Sequence, residues 1–189
     1  MWSQVAREPF MAGLIALEQP LHRDVALSNG TAHQLRGWTD RPPMVIDESD
    51  DSIDAAARAL GAGYHGTSFK SCKGVFKGVA NACLMDRRRA ILTAEDLSTV
   101  GPVSLLQDLA VVASLGIPHV ERNGHHYFRG LNAFPADLQK TTLAHPDLYH
   151  AASGFPTLRI TGGEIAMDSI VAAPFGCAVE CHPSRLPSP

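Results

Sequence analysis

Between residues 44 and 131 the chain repeats one arrangement: a short apolar run that ends in charge, then a stretch with helical periodicity. "PPMVIDESD" (42–50) is such a run, and "GLIALEQP" (13–20) precedes it with the same form. "DSIDAAARALGAG" (51–63) follows with Ile53, Ala56, Ala57 and Leu60 on one helical face. Asp51 or Ser52 suits its N-cap, and Gly61 or Gly63 its end. "YHGTSFK" (64–70) reads as the next strand. "VFKGVANACLMD" (75–86) reads as a helix with Val75, Val79, Ala82 and Cys83 in register. "AILTAEDL" (90–97) is a further strand, "GPVSLLQDLAVVASLG" (101–116) a helix with Pro near its start and Gly at its end, and "IPHVERNG" (117–124) a last strand. Strands that alternate with helices of this length predict parallel βα units in an α/β fold, either an open sheet or a barrel.

The charges fall in one place. Glu18, Asp47 with Glu48, Lys70, Glu95 with Asp96, and Glu121 with Arg122 each stand at or near the end of an apolar run. In a (β/α) barrel those ends converge on one mouth, where active sites are built. An acid after a strand also caps the next helix. That explanation accounts less well for the whole series, because Pro20 closely follows Glu18 and Lys70 is no cap. Two carboxylates in one cavity repel each other unless a cation lies between them. A hard divalent ion with oxygen ligands resolves the conflict. Such an ion disfavours the ammonium form of a neighbouring lysine, and a lysine so tuned can act as a base. It also makes the α-carbon of a bound carboxylate more acidic. The pattern therefore points to proton abstraction beside a carboxylate.

Composition excludes other classes. The chain has 189 residues, 45% of them hydrophobic, and a net charge of -3. That suffices for a core and leaves no basic excess for a nucleic acid partner. The short cluster "DRRRA" (86–90) suits a helix C-terminus. No apolar run reaches the roughly 20 residues that span a bilayer, so no membrane partner is expected. The N-terminal segment lacks the pattern of a signal peptide. The four cysteines, Cys72, Cys83, Cys177 and Cys181, lie far apart in sequence except for the last pair, so reduced thiols and a cytoplasmic location are expected. "CAVECH" (177–182) is a weak metal motif without a second cluster.

The ordered set "LIALEQPLHRD", "MVIDES" and "SFKSCKG" resembles the carboxyl-terminal barrel of the enolase superfamily, in its mandelate racemase and muconate lactonizing enzyme branch. The resemblance covers roughly residues 5–180 and is strongest over 13–80. It implies a partial TIM (β/α) barrel, approximately strands 4 to 8, over residues 1–150, with a closing segment and tail at 151–189. It implies Glu18 and Asp47 as ligands of Mg²⁺ or Mn²⁺ and Lys70 as the catalytic base. Glu48, Lys73, Glu95, Asp96 and His125 become possible substrate contacts or supports of those groups. The implied partner is a small carboxylate substrate, and the implied parent enzyme is a homo-oligomer. The closing segment "LRITGGEIAMDSIVAAPFGCAVE" (158–180) is similar to the family's Gly-containing hairpin and Pro-x-Gly.

The sequence also departs from the family. Gly74 is followed by Val75 where a second glycine is usual. "HVERNGHHYFRGLNAFP" (119–135) has no clear counterpart, and its His119, His125 and His126 are candidate substrate contacts. The capping domain and the first barrel strands, one with a further metal-binding Asp, would precede Glu18, where only 17 residues stand. The chain therefore reads as an incomplete part of a larger enzyme, with little activity expected alone. Rival readings are an acid-sugar dehydratase of the same superfamily, a Schiff-base aldolase using Lys70, and a non-catalytic α/β fragment.

Overall fold

The computed structural model describes residues 6–96, 99–122, 124–152 and 154–177. The described strands are β1 (Leu17–Glu18), β2 (Met44–Ile46), β3 (Gly66–Phe69), β4 (Ile91–Asp96), β5 (Val120–Arg122), β6 (Tyr149–Ala152) and β7 (Phe155–Leu158). The helices are α1 (Arg23–Ala26), α2 (Asn29–Gly37), α3 (Ala55–Ala62), α4 (Val75–Arg88), α5 (Ser104–Ser114), α6 (Gly124–Tyr127), α7 (Ala136–Lys140) and α8 (Asp168–Ala172). The first five strands form a sheet in sequential order, β1-β2-β3-β4-β5. Parallel pairs are β1 with β2, β2 with β3, and β4 with β5. Sequential order with parallel pairing is compatible with part of a (β/α) barrel. The chain divides inside β4 into two units, one holding residues to Phe69 and Phe76–Thr93, the other Lys70–Val75 and residues from Ala94 on.

In the first unit β2 and β3 are buried along their whole length, which is why they read as continuous apolar or small runs. The core gathers Leu35 of α2, Met44 and Ile46 of β2, Ala55, Ala59 and Ala62 of α3, and Tyr64. The alanines of α3 let this helix lie close to the sheet. Gly63 ends α3 in the left-handed region (φ 109°), and its N–H bonds Ala59 O. A side chain there would be strained. Two expectations shift. α3 starts at Ala55, later than the acids suggest, and Ile53 lies outside it at 75% exposure. In α4, Val75 and Val79 are exposed, while Gly78, Asn81 and Met85 are buried. The buried face is partly polar because it answers a buried acid, described below.

The second unit packs α5 through Leu105, Leu106 and Leu109 against Leu131, Leu148, Tyr149, Leu158 and Ile170. The i, i+1, i+4 spacing on α5 is the helical stripe expected from its sequence. β6 and β7 form an antiparallel hairpin. After it, Thr161 and Glu164 bridge across Gly162 and Gly163, both at positive φ, so the Gly-containing turn is present. Cys181 and His182 of the "CAVECH" motif lie outside the described residues. No helix among the described residues is long and apolar enough to cross a membrane.

Candidate active site

In the first unit the tips of β1 and β2 are tied by one side chain. Gln19 follows Glu18 with φ 38°. Its Oε1 accepts from the backbone N–H of Asp47 at 2.9 Å and of Ser49 at 3.2 Å. Its Nε2 donates to Ser49 Oγ at 2.9 Å and to Leu21 O at 2.6 Å. Asp50 N–H closes the turn onto Asp47 O at 2.9 Å. The amide of Gln19 thus satisfies both its donor and its acceptor sides across two loops and fixes the "DES" turn relative to β1. Glu18, register partner of Val45, is exposed; Asp47 is buried at 1% exposure. Glu48 points to solvent. Both expected metal ligands therefore stand at adjacent strand ends, and both offer hard oxygen donors.

A buried acid that the sequence did not single out lies two residues beyond Glu48. Asp50 is 2% exposed. Lys77 Nζ lies 2.9 Å from its Oδ1 and donates to its backbone O at 2.5 Å. Asn81 Nδ2 and Thr67 Oγ1 donate to Oδ2 at 3.0 and 3.1 Å. An interior carboxylate must be paired and hydrogen-bonded, and Lys77 and Asn81 sit four apart on α4 to do it. This explains the polar face of that helix.

The second unit holds Lys70 at the residue after β3, mostly buried, with Nζ 2.7 Å from Glu95 Oε1. Glu95 is itself buried and is the register partner of Glu121 across β4 and β5. Lys70 opens a single helical turn, Ser71–Lys73, that Gly74 closes at φ 102°. Lys73 is half-buried in this turn. Ser71 Oγ donates to Asp108 Oδ1. The other oxygen of Asp108 accepts from Arg122 Nη1 at 3.1 Å. Asp108 thereby joins the lysine turn, helix α5 and the end of β5. Sequence reading places Arg122 at a strand tip but misses Ser71 and Asp108. The only signal was an acid on the apolar stripe of α5, which demands a partner when buried.

The side chains of Asp96, His125 and His126 lie outside the described residues. His119 is exposed, and its carbonyl accepts from Ala94 N at 3.1 Å. Compared with known proteins, the chain matches no family model, no curated protein and no solved structure.

Proposed function

We propose that this chain is part of an enzyme that removes the α-proton of a small carboxylate substrate with Mg²⁺ or Mn²⁺, of racemase, epimerase or cycloisomerase type. Its sheet would be strands 4 to 8 of a TIM barrel of the enolase kind. The observation that carries this reading is Lys70, a cation withdrawn from water at a strand end and oriented by a buried carboxylate 2.7 Å away. Lysine is almost never buried without a partner, and a buried, positioned amine is the form in which lysine serves as a base. In this role Nζ of Lys70 first gives up a proton to water and then, as the neutral amine, receives the α-proton, while Glu95 holds the amine in place.

Glu18 and Asp47 fit a hard divalent ion by their donor chemistry, because the pair offers oxygen and neither sulfur nor imidazole. Gln19 restrains the Asp47 turn, so that ligand is held before any ion arrives. Two carboxylates leave further coordination positions to water or substrate oxygen. When bound, the ion would stabilise negative charge that develops on the substrate carboxylate. Glu48 and Lys73 remain candidates for contact with substrate.

The test has two arms. Mn²⁺ binding to the full chain is followed by calorimetry, and exchange of the α-proton of 2-hydroxy acids into D₂O by proton NMR. Glu18→Gln and Asp47→Asn are each expected to weaken Mn²⁺ binding about tenfold or more. Lys70→Met is expected to leave Mn²⁺ affinity in place and to lower any exchange by roughly 10²–10⁴-fold, the scale of general-base catalysis. Equal Mn²⁺ affinity in wild type and both carboxylate variants would overturn the reading.

A further inference from the structure

Helix α4 has two faces of the same spacing, and its own unit uses one of them. Gly78, Asn81 and Met85 turn inward, at i, i+3 and i+7. Phe76, Val79 and Cys83 repeat that spacing on the far side. Phe76 is 92% exposed and Val79 44%, with Ala80 and Cys83 exposed beside them. An apolar i, i+3, i+7 stripe is the pattern of a helix–helix seam. It also changes size along its length: a large ring at Phe76, then the small Ala80 and Cys83.

The two ends of this face differ in charge. Lys77 and Asn81 fasten Asp50 beside the first half of α4. Asp51, next in the chain, and Asp54, just before α3, are thereby brought toward that end, and both are exposed. They outnumber Arg58, the exposed cation one turn into α3. At the other end stand Arg87 and Arg88 in the last turn and Arg89 after it, all exposed, a positive surplus even with Asp86 among them. At 1.5 Å per residue, Lys77 and Arg88 lie about 16 Å apart along the helix, beyond the Debye length of about 8 Å at physiological salt. The acidic and basic ends therefore act as separate charges.

A partner for this face must be apolar in the middle, basic where the chain is acidic and acidic where it is basic. A second copy of the same face, turned end for end, meets all three conditions. We propose that the chain pairs with a second copy through α4, the two helices antiparallel about a two-fold axis near Val79 and Ala80. The midpoint between Phe76 and Cys83 falls there, so Phe76 of each copy meets the small Ala80 and Cys83 of the other. Arg87 and Arg88 of each copy reach toward Asp51 and Asp54 of the other. Antiparallel helices also bring opposite dipole ends together. Such an interface is isologous and closes at two copies. It uses none of Glu18, Asp47 and Lys70, so it stands apart from the proposed reaction.

The experiment is sedimentation velocity on the full chain from about 1 to about 200 µM, a range that brackets the affinity of a small interface. A monomer–dimer equilibrium is expected, weaker at high salt. Phe76→Glu changes a side chain that lies almost wholly in water, so it should fold, as circular dichroism would check; its dimer Kd is expected to rise at least tenfold. Two charge reversals then test the arrangement. Arg87→Glu with Arg88→Glu makes both ends acidic, and Asp51→Lys with Asp54→Lys makes both ends basic. Each variant alone should dimerise at least tenfold more weakly than wild type. Mixed in equal amounts they should pair with each other, because each supplies the charge that the other lacks at both ends. A monomer throughout the range overturns the proposal, whatever else meets Phe76. So does a dimer that Phe76→Glu leaves intact, or a mixture of the two reversed variants that stays apart.

Discussion

Each unit buries one tyrosine in its core, and the two are treated differently. Tyr64 of the first unit is 4% exposed and Tyr149 of the second 6%. Burial raises both phenols above their ordinary pKa. Tyr64 gives its hydroxyl to Ala26 O at 3.1 Å. The buried hydroxyl of Tyr149 has no hydrogen-bond partner among the described residues. The buried acids show a related contrast. Asp50 of the first unit collects Lys77, Asn81 and Thr67, all from within the core around it. Asp108 of the second pairs with Arg122, which itself lines a cavity. Polar groups that close on one another serve the fold. A buried donor left without a partner costs the fold instead.

The largest effect should come from opening the closed set. Lys77→Met leaves the Asp50 carboxylate buried without its cation, and removing one partner of a buried pair costs about 3–5 kcal/mol. Urea unfolding would measure this as a lower midpoint with an unchanged slope. Adding Asp50→Asn to Lys77→Met removes the stranded charge and should return much of the loss. A cost under about 1 kcal/mol for Lys77→Met would mean that the pair is screened like a surface ion pair. The contrast between the units would then lose its first half.

The next effect is a pH dependence that both units share. His65 accepts the backbone N–H of Met44 on Nδ1 at 3.1 Å. Burial, and then the charge of Arg41, lower its pKa from the ordinary value. His145 is fully buried, with Nδ1 2.9 Å from Ser169 Oγ. Burial lowers its pKa too, against the opposing pull of Asp147. Both rings are thus held neutral in the folded chain, and the unfolded chain binds protons more readily. Their contribution to stability is complete above about pH 6.5, the ordinary histidine value, and is lost as pH falls through the lowered folded values. Each ring contributes a slope of at most about 1.4 kcal/mol per pH unit. Chemical unfolding between pH 7.5 and 5 should show this decline, and His65→Gln should remove part of it. A flat profile would mean that neither ring is held neutral.

How far the sequence reveals these features depends on how local they are. The strand and helix alternation is legible because each apolar run and each helical stripe repeats over a few residues. The stop of α3 at Gly63 and the cations Arg87 and Arg88 in the last turn of α4 are legible for the same reason. The tip positions of Glu18, Asp47 and Lys70 follow from where those runs end. What lies between distant segments is not legible. The inward face of α4 is set by Asp50, 27 residues before Lys77, so a reading from apolar spacing alone turns the wrong side to the core. The bond from Ser71 to Asp108 spans 37 residues and leaves no periodic trace. Gln19 looks like one half of a turn in sequence, and only the backbone at Asp47 and Ser49 shows it to be a clamp.

The smallest effect tests the tyrosine contrast most directly. Tyr64→Phe deletes a made hydrogen bond and leaves Ala26 O without its donor, for an expected loss of about 0.5–1.5 kcal/mol. Tyr149→Phe deletes a hydroxyl that has no hydrogen-bond partner among the described residues, while the ring keeps its packing. Its stability should change by less than about 0.5 kcal/mol or rise slightly, because a desolvated donor is gone. The two variants remove the same atom from similarly buried rings, so packing and transfer terms largely cancel in their difference. Paired urea melts resolve that difference. If Tyr149→Phe cost as much as Tyr64→Phe, the hydroxyl of Tyr149 would be bonded in solution, and the second unit would be as closed as the first.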